Sequence, residues 1–303
     1  MAFSKVQAPL VSSFAKFLAS SDLYPKNHKK QKEKVIFVMG STGTGKSKLA
    51  IHLATKFHGE VINSDKIQVH KGLDTVTNKV THEEMSGVPH HLLAILDPDA
   101  EFTMSDFCEK TSVIMRSILD QGKIPIIAGG SNRYIEALVE NETFEFKKKY
   151  DLCTLWVHVS LPVLKKFVYE RVDQMIEAGL VDEVRSIFKL DGDYSKGIRR
   201  SIGVPELDAY FRAEAEGYED KKKTAILLEQ GISMIKSNTY DLACCQYEKI
   251  KKLKFDKGWN IHIIDATEVF LKCGIQREQE WQGRVAGPTM KIVSSFLYGA
   301  NIS

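Results

Sequence analysis

Apolar runs of strand length alternate along this chain with stretches in which apolar residues recur at helical spacing. The strand-length runs are Val35–Met39, Gly59–Asn63, Lys123–Ala128, Leu155–Val159 and Ile261–Ile264. Helical spacing follows residue 47 and returns between Asp106 and Gln121, where Ser105 is the expected N-cap. Strands separated by helices predict an α/β fold with a parallel sheet covered on both faces. Ligands of such a sheet bind at the carboxyl ends of its strands.

The strand pattern disappears between Pro162 and about Cys245, where only helical spacing remains. This change predicts a smaller all-helical insertion beside the sheet, with a groove that suits an organic substrate. We therefore divide the chain into an N-terminal extension (1–33), a core (34–160), the helical insertion (161–245), a return to the core with the last strand (246–280) and a C-terminal tail (281–303).

Residues 40–47 match the motif G-x-x-x-x-G-K-[ST] and lie between a predicted strand and a predicted helix, as in P-loop NTPases. In such a P-loop the backbone N–H groups turn inward around a phosphate, and the helix N-terminus favours negative charge. Lys46 brings a point charge to the phosphate oxygens, and the Ser47 hydroxyl is a ligand for Mg2+, the expected cofactor. The other residues of this predicted polyphosphate site are Gly40, Ser41, Thr42, Gly43, Thr44 and Gly45.

The metal-binding carboxylate of ordinary P-loop enzymes is missing from its usual place. Those enzymes hold Mg2+ with an Asp at the end of a neighbouring apolar strand, but the strand at 123–128 ends in Ala-Gly-Gly. A carboxylate stands instead at Asp65, just after the strand Gly59–Asn63. From spacing alone, Asp65 is equally well a loop or helix-cap residue. Asn78-Lys79 is not followed by Asp at position 81, so the guanine-binding motif of GTPases is absent.

Composition narrows the function classes further. A net charge of +3 is too small to indicate nucleic acid by itself, and the basic clusters at 147–149, 221–223 and 249–254 are typical of a solvated surface. Five cysteines without a C-x-x-C pair indicate reduced thiols, not a disulfide framework or a zinc site. His90 and His91 are expected to hold a loop, not a metal. No run approaches the roughly 18 apolar residues of a membrane span, so no membrane partner is expected.

The first 33 residues hold five serines and six lysines against two acidic residues, and they contain no arginine. A basic, Ser-rich, acid-poor start is typical of an organelle transit segment, although the lack of arginine argues against a mitochondrial address. We expect a plastid location, with the cytoplasm as the alternative if this segment carries no address.

Six segments together resemble the isopentenyltransferases that act on adenine, and the last two resemble the plant adenylate isopentenyltransferases in particular. They are residues 40–47, Ile62–Asp74, Gly87–Leu92, Ala128–Asn132, Arg171–Arg185 and Gly197–Glu206. The resemblance runs from about residue 34 to about residue 270. It implies an enzyme that transfers the dimethylallyl group of dimethylallyl diphosphate to N6 of AMP, ADP or ATP, in cytokinin biosynthesis.

This resemblance assigns roles to particular residues. The P-loop would hold the departing diphosphate, with the Thr42 hydroxyl at its bridging oxygen. Asp65 would accept the proton of the N6 amine as general base. Arg200, in Arg200-Ser-Ile-Gly203, would grip the diphosphate with its forked guanidinium. Arg199 would be either a surface residue or a contact to the phosphates of the acceptor.

Gln68 and Lys79 also match family positions and are further candidates for substrate binding. The chain departs from the family at Cys245, where many relatives have a basic residue. A phosphate contact is therefore not assigned there, and Cys244 and Cys245 are expected to pack as small apolar residues.

Three other functions remain open. A tRNA-modifying member of the same family would act on a macromolecule, but nothing after Cys245 has the Cys and His spacing of the zinc finger common in eukaryotic members. A small-molecule kinase would need the missing strand-end Asp, and a nucleotide-gated binding module would leave Asp65 structural. We expect small-molecule substrates, no DNA partner and a monomer. The preferred adenine nucleotide, and whether the prenyl donor is hydroxylated, are left open.

Overall fold

A parallel sheet forms the centre of the molecule in the computed structural model, which describes residues 32–217 and 220–299. Within those residues the sheet has six strands in the order β3-β2-β4-β1-β5-β6. Their bounds are β1 Glu33–Gly40, β2 Gly59–Asn63, β3 His90–His91, β4 Ile124–Ala128, β5 Tyr150–His158 and β6 Ile261–Asp265. Neighbouring strands all pair in parallel, so their carboxyl ends share one edge of the sheet.

The predicted α/β fold class is confirmed, with differences at two strands. β3 has no counterpart among the predicted strands because two residues are too few to show a pattern. β5 begins at Tyr150 and not at Leu155, because it pairs with β1 over the full length of that strand. The first three residues of β5 are only partly buried, so the apolar run begins later than the strand.

The helices that cover and extend the sheet are α1 Lys46–Phe57, α2 His82–Met85, α3 Met104–Asp120, α4 Asn132–Glu140, α5 Phe146–Lys149, α6 Leu161–Glu177, α7 Leu180–Arg185, α8 Asp208–Ala215, α9 Lys221–Phe255, α10 Thr267–Phe270, α11 Gly274–Glu280 and α12 Gly287–Tyr298. Short 3-10 helices occupy Gly197–Arg200 and Pro205–Leu207, and a π-helical turn occupies Trp281–Ala286. Helix α3 begins before the expected cap Ser105, because Thr103 and Asp106 form a reciprocal capping box.

Alternating residues of β1 supply two separate cores, one on each face of the sheet. Ile36 and Val38 belong to the core that also contains α1 and α12, whereas Val35, Phe37 and Met39 belong to the core that contains α3 and α4. All five side chains are fully buried. Burial on both faces explains why this strand reads as a continuous apolar run.

The predicted helical insertion has its own core but is not a separate body. Its apolar side chains come from α6, α7, α8 and the middle of α9, and include Val172, Leu180, Phe211 and Ile235. Helix α9 is a single helix of 35 residues. It runs across the expected boundary at 245/246 and carries Ile250 into a core of the sheet. The described residues from Glu33 onward accordingly form one compact unit.

The segment 281–303, expected as a tail, instead covers the sheet as far as it is described. Trp281, Val285, Val293 and Leu297 are buried in the core that contains α1. These apolar residues recur at helical spacing, a pattern that favours a buried helix over a tail. The predicted N-terminal extension lies outside the described residues except for residues 32 and 33, the second of which begins β1.

Strand β3 is fixed to the sheet through one buried carboxylate. Glu60 of β2 pairs with His91 Nε2 at 2.7 Å and accepts a hydrogen bond from Lys123 Nζ at 2.6 Å. Burial opposes the charged form, but these two partners hold the pKa of Glu60 below its usual value. His91 thus helps to hold this loop, as does His90, whose Nδ1 lies 2.8 Å from the Val88 carbonyl oxygen.

The five cysteines are free thiols. The expectation that both members of the Cys244-Cys245 pair would be packed is wrong for Cys245, which is exposed. The buried face of α9 at this turn is occupied by Ala243 and Gln246 instead. In the described part of the chain, no helix combines the length and the hydrophobicity needed to cross a membrane.

Candidate active site

The P-loop joins β1 to α1 at the carboxyl edge of the sheet. Gly43 and Gly45 have φ of +84° and +91°, left-handed values that favour glycine. A Cβ at Gly45 would also lie 2.8 Å from the ring of Trp281, so a larger residue would not fit. The motif glycines are therefore required by the backbone path and by the residue packed against it.

Two hydroxyl side chains of the motif hold the loop in shape. Ser41 Oγ donates to the Ala243 carbonyl of α9 at 2.7 Å, and Thr44 Oγ1 donates to the Ser41 carbonyl at 2.9 Å. Both side chains are buried. Their hydroxyl protons are therefore engaged within the protein and hold the loop in shape.

The side chain of Lys46, the first residue of α1, folds back onto the P-loop. Its Nζ donates to the Ser41 carbonyl at 2.7 Å. Burial lowers the pKa of Lys46 to about 8, while Asp65 acts to raise it and Arg171 acts to lower it. An anion that entered the loop would favour the charged form of this amine, so the loop is prepared for an anionic ligand.

Asp65 lies beside the end of the strand that separates it from the P-loop strand. Asp65 follows β2, and strand β4 lies between β2 and β1. β4 is followed by Gly129 and Gly130, and a Cβ at Gly130 would lie 3.4 Å from Asp65 Oδ2. A Cβ at Gly129 would lie 2.7 Å from the backbone N of Asp65, so the missing side chain there lets Asp65 lie against the end of β4. The Ala-Gly-Gly that replaces the usual strand-end Asp is the feature that makes this approach possible.

The two oxygens of Asp65 have different surroundings. Oδ1 accepts a hydrogen bond from the backbone N–H of Ile67 at 2.9 Å, which is the loop role that spacing alone allowed. Oδ2 borders the space above Gly130, on the side of Gln246. One oxygen therefore orients the carboxylate, and the other lies next to the space above Gly130.

Arg171 was not among the predicted site residues, although it opens the segment Arg171–Arg185. It lies on α6 and its Nη2 donates to Thr42 Oγ1 at 3.0 Å. Burial lowers the pKa of Arg171 to about 10, and its Nε has no hydrogen-bond partner among the described residues. The sequence does contain a signal for Arg171. It falls beside Val168 and Val172 on the apolar face of a predicted helix, and a buried arginine is costly unless its charge is paired.

The neighbours Arg199 and Arg200 have different surroundings. The Arg199 guanidinium donates to Asp99 Oδ1 at 2.9 Å and to the Ile187 carbonyl. It is only 8% exposed, so it is neither a surface residue nor available to a ligand. The Arg200 Nε is buried without a partner in the described structure. Arg200 lowers the pKa of Lys66, which neighbours Asp65, after the larger effect of burial.

Gln68 and Lys79 shape the loop that follows Asp65. Gln68 Nε2 donates to the carbonyls of Thr77 and Asn78, both at 3.1 Å. Lys79 Nζ donates to Asp74 Oδ1 at 2.9 Å and is nearly buried. Their donor groups are thus engaged within the protein, and a direct role in substrate binding stays a prediction.

Unpartnered buried polar atoms gather around these residues. Among the described residues seven buried side-chain N or O atoms lack a hydrogen bond, and five belong to Ser64, His70, Asn132, Arg171 and Arg200. Buried polar groups without partners are costly unless a ligand or water completes them. Arg171 contacts the P-loop and Ser64 adjoins Asp65, so unpartnered polar atoms on both sides indicate a site built for a polar ligand.

Residues 68–149 and 140–252 match a family model described as IPP transferase. Adenylate isopentenyltransferase 5, chloroplastic, of Arabidopsis thaliana is 54% identical and covers 88% of this chain and 81% of its own length. Adenylate isopentenyltransferase 7, mitochondrial, of the same plant is 48% identical over 96% of this chain and 86% of its own length. A tRNA dimethylallyltransferase 2 of that plant is 30% identical, with coverage of 88% and 81%.

A solved structure of a eukaryotic dimethylallyltransferase acting on tRNA superposes with a TM-score of 0.71. The identity is 23%, and the match covers 89% of this chain and 81% of that chain. At this identity the likeness establishes the fold alone, and it agrees with the parallel sheet and flanking helices.

Proposed function

This chain belongs to the IPP transferase family, and we propose that its site transfers a dimethylallyl group from dimethylallyl diphosphate to N6 of an adenine nucleotide. It is an adenylate isopentenyltransferase, an enzyme of cytokinin synthesis. The observation that carries the proposed chemistry is the position of Asp65. Its carboxylate lies next to the glycine pair that follows β4, and its charge acts to raise the pKa of Lys46 in the P-loop motif.

The P-loop side of the site binds the leaving group. When the bond between the allylic carbon and the diphosphate oxygen breaks, its electron pair goes to that oxygen and negative charge develops on the diphosphate. The loop N–H groups and Lys46 stabilise this charge, with Arg171 and Arg200 contributing from the helical insertion. In this proposal the Thr42 hydroxyl, which accepts a hydrogen bond from Arg171, donates to the bridging oxygen.

The Asp65 side of the site handles the nucleophile. The N6 amine of adenine is weakly nucleophilic because its lone pair is delocalised into the ring. Asp65 Oδ2 accepts a hydrogen bond from this amine and takes its proton as the new carbon–nitrogen bond forms. The products are the N6-dimethylallyl nucleotide and diphosphate, and the proton on Asp65 returns to solvent.

Mg2+ is the proposed cofactor, and the residues at the P-loop suit it. Ser47 is exposed in the first turn of α1, directly after the P-loop glycines. The described residues contain no group of three His, Cys, Asp or Glu side chains able to hold a metal ion. Mg2+ commonly takes substrate phosphate oxygens and waters as ligands, so one hydroxyl is a fitting donor set. When bound, the ion neutralises charge on the leaving diphosphate.

The acceptor and the setting of the reaction are part of the same proposal. The acceptor is free AMP, ADP or ATP; tRNA and DNA are not substrates, and the enzyme acts as a monomer. The plastid is the proposed location, because similar proteins are named chloroplastic and the first 33 residues are rich in serine and lysine. A fluorescent protein fused to residues 1–33 that stays in the cytosol of plant cells would contradict this location.

The function is tested with purified protein, dimethylallyl diphosphate, Mg2+ and each adenine nucleotide, with products identified by mass. Asp65→Asn keeps an acceptor for the Ile67 N–H but removes the base. We expect turnover to fall by about 10²–10⁴-fold with the binding of inorganic diphosphate retained, because general-base removal has that effect. Asp65→Ala is expected to lose at least as much.

Asp120→Asn is the matched control, because Asp120 ends α3 at the opposite edge of the sheet and is exposed. Its turnover is expected to stay within about twofold of wild type. Unchanged activity in Asp65→Asn would refute the role of the base. Conversion of ATP to ADP in step with turnover, with the phosphoryl group found on an acceptor, would indicate a kinase instead.

A further inference from the structure

The carboxamide of Gln246 lies between the P-loop and the end of β4. Its Oε1 accepts a hydrogen bond from the backbone N–H of Thr42 at 2.6 Å. Its Nε2 donates to the carbonyl of Gly130 at 3.0 Å. The residue is 8% exposed, so neither bond competes strongly with water. One buried amide therefore joins the ends of two neighbouring strands, β1 and β4.

The same amide borders the position of the proposed base. A Cβ built on Gly130 would lie 2.3 Å from Gln246 Nε2 and 3.4 Å from Asp65 Oδ2. The amide and the carboxylate thus flank one small space above the glycine. Thr42, on the other side, is held twice, at its N–H by Gln246 and at its hydroxyl by Arg171. A shift of the amide would move Thr42 relative to Asp65.

Helix α9 does not depend on this amide for its place. The Ala243 carbonyl, one turn earlier, accepts from Ser41 Oγ at 2.7 Å. The backbone carbonyl of Gln246 accepts from Asn132 Nδ2 at 3.3 Å. Ala243 and Ile250 are fully buried in the two sheet cores. A substitution of the Gln246 side chain therefore leaves the helix anchored and removes only the bridge.

We propose that Gln246 is a positioning residue that sets the separation between the diphosphate-binding loop and Asp65. The inference rests on the proposed function. In that reaction one carbon moves between an oxygen held by the P-loop and a nitrogen held by Asp65. The rate of such a transfer depends steeply on geometry, and a misplacement of about 1 Å can cost about 100-fold. Gln246 accordingly acts on turnover, while diphosphate binding is carried by the loop itself.

The first test replaces the amide with an apolar side chain of similar length. Gln246→Met removes both the donor and the acceptor. We expect kcat to fall by about 10–100-fold, with the KM for dimethylallyl diphosphate and the Kd for inorganic diphosphate within about threefold of wild type. Asn238→Ala is the matched control, because Asn238 lies two turns earlier on α9 and its Nδ2 donates to Glu206 Oε1 at 2.8 Å. Its kcat is expected to stay within about twofold of wild type.

A second variant, Gln246→Glu, makes the two hydrogen bonds of the bridge depend on pH. Gln246→Glu when protonated can both accept from Thr42 and donate to Gly130, whereas its ionised form repels the Gly130 carbonyl. Among the charged groups of the site, Asp65 disfavours ionisation of the new carboxyl group, whereas Arg171, which contacts Thr42, and Lys46 favour it. We expect the ratio of its kcat to the wild-type kcat to rise as pH is lowered from about 8 to about 5.5.

The outcomes separate the two proposals. A Gln246→Met kcat equal to that of the Asn238→Ala control, an equal loss of diphosphate binding and turnover, or a flat ratio for Gln246→Glu would each overturn the positioning role. If Gln246→Met does not fold, the pH response of Gln246→Glu decides. A wild-type protein that binds inorganic diphosphate but forms no prenylated nucleotide would overturn the proposed function, and this inference with it.

Discussion

Gly130→Ala is the smallest change that should disturb the site, because it adds one methyl group between the base and the amide bridge. Gly130 has no left-handed backbone angle, so alanine introduces no backbone strain and the effect is steric. The new Cβ would lie 2.3 Å from Gln246 Nε2, and the amide must move by about 1 Å to reach ordinary contact. The contact with Asp65 Oδ2, at 3.4 Å, is tolerable. The amide bridge is therefore the part that must yield.

The magnitude follows from the two hydrogen bonds at stake. The displaced amide loses its bonds to the Thr42 N–H at 2.6 Å and to the Gly130 carbonyl at 3.0 Å. Each is worth about 0.5–1.5 kcal/mol, so the free energy of unfolding should fall by about 1–3 kcal/mol. Turnover should fall by about 10–100-fold as the loop moves away from Asp65. Urea unfolding curves and steady-state kinetics measure the two effects separately.

Two comparisons make the Gly130→Ala result decisive. Gly283→Ala is the control, since a Cβ there meets nothing within 4 Å and the residue lies in a helical turn. We expect it to leave turnover unchanged and stability equal or slightly higher. In a Gly130→Ala/Gln246→Ala double variant the clash disappears, so it should be no worse than Gln246→Ala alone. Wild-type stability and turnover in Gly130→Ala would refute the reasoning about the bridge.

The surroundings of the other candidate residues lead to two more predictions. Arg171→Met and Arg200→Met should each lower turnover by about 100-fold with folding largely retained. Arg199→Met should instead lower the free energy of unfolding by about 1–3 kcal/mol and leave turnover per folded molecule unchanged. Equal effects of all three variants on kinetics and on urea unfolding would contradict this contrast. Glu60→Gln should lower the free energy of unfolding by about 1–3 kcal/mol at neutral pH. The difference in stability between wild type and variant should vanish as pH falls through the lowered pKa of Glu60. The reason is that a carboxyl group with a lowered pKa stabilises the folded protein only while it is ionised. A stability difference that is the same near pH 7 and near pH 3 would show that the charge of Glu60 is not involved.

The strands were predictable where burial on both faces made the apolar run continuous, as in Val35–Met39. Boundaries failed where pairing and not hydrophobicity decided them. The first residues of β5 are strand because they pair with β1, and the two residues of β3 are strand because they pair with β2. Helix α9 passes from the insertion core to the sheet core without a break, so no change in local pattern marks the expected domain boundary.

Residues 40–47 show what the sequence by itself determined about this protein. A phosphate-binding loop needs glycines at set positions, a lysine and a following helix, and all of these are local properties of one short segment. The sequence therefore predicts the anion-binding half of the proposed site from local residues alone. It also located the carboxylate Asp65 but left its role open, since a loop residue and a base look the same along a chain.

Only the tertiary structure decided which distant residues complete that half. Asp65 lies against the end of β4 because that strand is followed by two glycines and stands between β2 and β1, and strand order is not encoded in any single segment. Arg171 and Gln246 come from helices far along the chain, whereas Arg199, adjacent to Arg200, is taken by Asp99. The physical reason is that a side chain's role depends on which groups share its buried surroundings, and long-range packing sets those surroundings.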